Sequence, residues 1–136
     1  IVRGWGNANM GLISWYRERL ASRKAAAMFE SAIVVSTDDA GLGVAVADGK
    51  QERVLWNEVD RVAIETNDSG PWGADVWWLF EGKNGRCAFP QGATGEDEAL
   101  KVLPKHFHGF SHEQVIRAMR CTSNARFVCW QRAASQ

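Results

Sequence analysis

Three histidines, His106, His108 and His112, fall within seven residues of one another in K-H-F-H-G-F-S-H. They are the only histidines in the chain, so any imidazole acid–base or nuclease chemistry must use this tract. The spacing is short enough for the rings to share a Zn²⁺ or Ni²⁺ ion, but no cysteine or carboxylate beyond Glu113 completes a ligand set. The sequence reading therefore assigns no metal and no cofactor, and keeps a metal-dependent or hydrolytic enzyme built on His106, His108 and His112 as the alternative. Four carboxylates, Asp60, Glu65, Asp68 and Asp75, fall near one strand pair, although hydrolysis needs two of them at a defined separation. G-A-T-G at 92–95 lacks the lysine and hydroxyl of a phosphate loop, and no G-x-S-x-G occurs. Cys87, Cys121 and Cys129 are too few and too scattered for a disulfide framework, and no C-x-x-C is present, which fits a reducing, cytoplasmic setting. No catalytic residue is assigned.

The residues best suited to recognition lie in the loop Asn67–Ala74, N-D-S-G-P-W-G-A. Long loops in small domains often carry function, and Trp72 among turn-forming residues suits an interface anchor. The loop is bounded by two strand-like runs, Val59–Thr66 and Asp75–Glu81. Asn84–Gly85 then turns the chain back through Arg86–Pro90. That path returns Gln91 to the sheet end where the loop sits. Asp68, Trp72, Asp75 and Gln91 are accordingly the predicted partner-binding residues, beside the start of a helix capped at Thr94.

The elements that must position this rim can be read from periodicity. Leu12, Tyr16, Leu20 and Ala27 recur near helical spacing with Trp15 beside them, predicting a helix over Gly11–Phe29. Short strands follow at Ala32–Ser36, Leu42–Val46 and Gln51–Trp56, with D-G at 48–49 as a tight turn. In Asp75–Glu81 both faces are apolar, since Val76, Trp78 and Phe80 alternate with Trp77 and Leu79, which predicts a central strand covered on both sides. Two helices follow, the first ending before Pro104 and the second starting at a Ser111–Gln114 capping box with Val115, Ile116 and Met119 as its apolar positions. A last strand spans Arg126–Gln131. The predicted fold class is α+β: one antiparallel sheet of about six to seven strands with an N-terminal helix and two C-terminal helices. With 136 residues the chain is expected to be a single domain, residues 30–132 forming its core, and Met10 is a candidate start with residues 1–9 upstream of it.

Charge is zero overall but unevenly placed: +4 over residues 1–29, −9 over 30–100 and +5 over 101–136. An acidic middle steers a basic partner toward it and opposes nucleic-acid binding. No apolar run is long enough for a membrane span.

Four segments carry a resemblance: W-N-E-V-D-R-V-A-I-E-T-N-D-S-G-P-W-G-A-D-V-W-W-L-F, F-P-Q-G-A-T-G, G-F-S-H-E-Q-V-I-R-A-M and T-S-N-A-R-F-V-C-W. Over roughly residues 30–132 the chain resembles a largely uncharacterised family of small bacterial cytoplasmic proteins. It is similar to immunity proteins of toxin systems, including contact-dependent growth inhibition. The K-H-F-H-G-F tract is richer in histidine than that family's pattern. The resemblance implies a bacterial cytoplasmic protein and permits an immunity role; with no catalytic constellation and an acidic middle, the expected function is non-catalytic binding of a cognate toxin domain that is itself basic. A pleckstrin-like ligand-binding module is a further alternative, on fold analogy alone.

Overall fold

The computed structural model describes residues 32–46, 49–67 and 75–133. The predicted helix Gly11–Phe29 and most of the loop, including Asp68 and Trp72, lie outside the described residues. The strands are β1 (Ile33–Thr37), β2 (Gly41–Val46), β3 (Gln51–Leu55), β4 (Val59–Asn67), β5 (Asp75–Gly82), β6 (Arg86–Pro90) and β7 (Ala125–Gln131). Two helices, α1 (Glu96–His106) and α2 (His112–Arg120), stand between β6 and β7.

The single sheet expected from the sequence is corrected by the pairing. The described residues form two sheets, one of three strands in the order β1-β2-β3 and one of four in the order β6-β5-β4-β7. The break falls at Trp56–Glu58, a 3₁₀ turn between β3 and β4. Trp56 is buried there; its backbone N–H donates to the Ala40 carbonyl and its indole N–H to the Asp38 carbonyl, each at 2.9 Å. These bonds tie the corner back to the start of β2, so β3 ends and β4 leaves in a new direction to pair with β5 and β7. Local turn chemistry at Asn57–Glu58 says nothing about which strand is joined next, so the sequence does not reveal the corner.

The four-stranded sheet is antiparallel throughout, with Ile64 opposite both Trp78 and Phe127. A bulge between Val62 and Ala63 leaves Cys129 as the extra residue on β7. The side bearing Val62, Ile64, Trp78, Phe80, Cys87 and Phe89 meets the three-stranded sheet and Phe107 at the end of α1. Trp77, Trp78, Leu79 and Phe80 are all at most 1% exposed, so β5 is buried on both faces. That agrees with the sequence reading of this strand.

Helix boundaries depart from expectation in two places. Thr94 does not cap α1. Its backbone joins β1 instead, accepting from Val35 N–H at 2.7 Å and donating to the Ile33 carbonyl at 2.9 Å. Gly95 takes the N-cap position at φ +89°, in the left-handed region, with the Val35 carbonyl packed where a Cβ would stand. A glycine is required on both counts. The helix then continues through Pro104 to His106, because a proline in the last turn sacrifices one bond while Phe107 N–H still reaches the Leu103 carbonyl at 2.8 Å. At α2 the Ser111 hydroxyl accepts from Gln114 N–H at 3.3 Å, as the sequence indicated.

The corner is testable. Trp56→Ala should destabilise the chain by about 3–5 kcal/mol, the usual cost of emptying an aromatic core site. Urea unfolding monitored by circular dichroism would show it, and an unchanged midpoint would mean that Trp56 does not hold the corner.

Candidate functional site

The strand register gathers one end of the four-stranded sheet. Asn67 pairs with Asp75 as the last rung of β4 and β5, and Gln91, just past β6, donates its backbone N–H to the Val76 carbonyl at 2.8 Å. Asp75 and Gln91 therefore lie at the same end, where the loop 68–74 leaves and re-enters the sheet. The Gln91 side chain reaches across to α2, its Nε2 lying 3.4 Å from Met119 Sδ. On the other flank, Gly92 N–H donates to Glu96 Oε1 at 2.9 Å, pinning the turn that presents Gln91. Burial pushes the Glu96 carboxyl above its ordinary range, against the lowering effect of the Gly92 bond. The buried Trp78 indole N–H faces the same carboxylate and stops short of hydrogen-bond geometry.

The α2 side of this end is the surface that periodicity misplaced. Val115, Ile116 and Met119 are its apolar positions in the sequence, yet Ile116 is 52% and Met119 39% exposed. Ala118 is the buried contact and Val115 packs at the margin of the core. Two constraints set this phase. Ser111 N–H donates to the Cys129 carbonyl at 2.8 Å, fixing the start of the helix on β7. Beyond its end, the Thr66 hydroxyl, buried in β4, donates to the Ser123 carbonyl at 2.7 Å. A small residue at 118 lets the helix approach β7 closely and rotates the larger Ile116 and Met119 outward. The signal in the sequence is the alanine between two bulkier apolar residues, which periodicity alone undervalues.

The histidine tract does not converge. His106 stacks on Trp56 with ring centroids 4.2 Å apart and planes 12° off parallel. His112 packs edge-on to Phe110. His108 contributes its backbone carbonyl to the Trp130 indole N–H at 2.9 Å. Among the described residues no three His, Cys, Asp or Glu side chains are grouped to hold a metal ion. Desolvation by the Trp56 corner lowers the His106 pKa from its ordinary 6.5, helped by the Lys105 charge and opposed by Asp39.

Several other polar and thiol groups are tied into structure. Asp60 pairs with Arg132 at 3.3 Å, at the opposite end of β4 from Asn67. Asp38 accepts backbone bonds from Gly41 and Ala40 and pairs with Arg53, all of which hold its carboxyl below the ordinary range. Burial pushes the Cys129 thiol up to about 11 and the Cys87 thiol higher still, so neither is a thiolate near neutral pH. Cys121 Sγ lies against Ser123 and the Thr66 hydroxyl. Among the described residues no helix is long and apolar enough to cross a membrane. No family model, curated protein or solved structure matches this chain.

Because His106 is harder to protonate in the folded chain than in the unfolded one, its contribution is intact above pH 6.5 and is lost as pH falls below that value. The native chain should lose more stability between pH 7 and pH 5 than His106→Phe, which keeps a ring on Trp56 but carries no charge. Glu96 acts in the opposite sense in both proteins and cancels from the comparison. Parallel unfolding midpoints for the two chains across this range would show that His106 carries no such linkage.

Proposed function

We propose that this protein is a non-catalytic binding module that neutralises a bacterial toxin domain by covering it, as an immunity protein of the contact-dependent growth inhibition type. The observation carrying this reading is the half-exposed apolar pair Ile116 and Met119, joined to Gln91 at the sheet end from which the loop 68–74 springs. Large apolar side chains left in water beside an anchoring loop are what a protein interface uses at its centre, with charged residues around it. Here the surround includes Arg117 and Arg120 on α2 and Glu96, Asp97 and Glu98 on α1. Asp68, Trp72 and Asp75 extend the proposed surface on the loop side.

The acidic middle of the chain, −9 over residues 30–100, favours a basic toxin domain and speeds its approach. Blocking by binding needs no nucleophile and no metal. The resemblance seen in the sequence supports the same reading, and with it a bacterial cytoplasmic setting where the toxin would act.

Affinity capture from the source bacterium should return a basic toxin domain at 1:1 stoichiometry, by mass. Ile116→Asp and Met119→Asp should each weaken that complex at least tenfold, measured by titration calorimetry, while shifting stability by only about 0.5 kcal/mol. Trp72→Ala combined with Asp68→Ala should weaken it further. Unchanged affinity in all of these variants would remove the rim from the binding surface.

A further inference from the structure

Helix α2 turns about 100° per residue, so the directions of its side chains follow from the one that is anchored. Ala118 is buried on the β7 side, where Ser111 N–H ties the start of the helix to the Cys129 carbonyl. The direction opposite Ala118 falls between Ile116 and Arg120. His112 and Glu113 stand on the same outward stripe one turn earlier, and Met119 stands at its edge. All five are exposed, and Ile116 at 52% is the most exposed of the large apolar residues described.

The charges on this stripe are uncommitted. Among the described residues neither Glu113 nor Arg120 is held in an ion pair. Glu113 lies one turn before Ile116 and Arg120 one turn after it, both about 40–60° to one side. His112 and Met119 lie one turn before and one turn after it on the other side.

This pattern is its own complement. When a second α2 is turned end for end about a twofold axis at Ile116, each flank meets the same flank running the other way. Glu113 is about 4.5 Å below the axis and Arg120 about 6 Å above it, so Glu113 and Arg120 of the second copy stand within about 1.5 Å of the same level. His112 and Met119 match in the same manner, and Ile116 meets its own counterpart at the centre. A twofold contact makes every pairing twice, so two ion pairs and two imidazole–thioether contacts flank one apolar centre. A parallel arrangement would instead bring the two Glu113 to one level and the two Arg120 to another.

We propose that α2 is a twofold dimer contact, its exposed face covered in the free protein by a second copy of this chain packed antiparallel through Ile116. The nine-residue helix is about 13 Å long, so the contact is smaller than a standard interface and belongs to the weak, exchanging class. Weakness suits a surface with a second use. The pairing takes Ile116 and Met119 out of water and yields them to any tighter partner. It is read from α2 alone and does not depend on that partner being a toxin, so either idea can fail without the other.

Sedimentation velocity of the full chain from about 10 μM to about 1 mM should show the mass rise from one chain toward two. Glu113→Arg and Arg120→Glu should each weaken the dimer about tenfold, because each sets like charges together twice. Combined in one chain, they should restore it to within about threefold of the native value, a recovery that damage to the fold would not give. A chain that stays monomeric to about 1 mM, a dimer indifferent to both reversals, or losses that add in the double variant would overturn the proposal.

Discussion

The structure depends on a single strand that has no wet side. Trp77, Trp78, Leu79 and Phe80 occupy four consecutive positions of β5, so large apolar groups project both ways from one stretch of backbone. Each such side chain is worth about 1.5–3 kcal/mol when it leaves water, and half of that gain on either side would be forfeited if one face stayed open. β5 therefore sits between β4 and β6, with the smaller sheet and Phe107 against Trp78 and Phe80. The corner at Trp56 follows from the same demand. It turns the chain out of the three-stranded sheet so that β1–β3 can cover β5 rather than extend its sheet edgewise.

That arrangement also fixes several polar groups in bracing roles: Asp38 on the Trp56 side, Asp60 with Arg132 at the far end of β4, and Thr66 beneath the loop after α2. Among the described residues, the loop end leaves Ile116 and Met119 half in water, with the Gln91 amide against the thioether. A methionine there can adapt its shape to a partner at low cost.

Much of this was legible in the sequence, for local reasons. Alternation placed nearly every strand, the two-faced pattern of β5 marked it as central, and Ser111 with Gln114 marked the start of α2. The failures share one cause, that the deciding partner lies far along the chain. Thr94 has the chemistry of a cap, but β1, some sixty residues earlier, claims its backbone and leaves Gly95 to turn the helix. Pro104 looks like a stop, but Phe107 has a place waiting between Phe80 and Trp130. Ile116 and Met119 fit an inward stripe until β7 fixes the rotation of the helix. One sheet was expected instead of two because no local signal distinguishes a hairpin from a corner. At the site, Asp75 and Gln91 could be brought to one end by following the meander, whereas the α2 contribution required knowing how that helix docks.

One pairing has a consequence in time. β7 closes the four-stranded sheet by lying beside β4, so that Ala63 meets Val128 although more than half of the described chain is synthesised between them. Closing so wide a loop is entropically costly, and contacts of this separation form late in folding. While the chain emerges from the ribosome, β4 has β5 on one edge and nothing on the other, and α2 has no strand to rest on. The nascent chain thus carries an open strand edge and an unseated helix until β7 is free to pair, and over that interval it is exposed to mispairing and to chaperones.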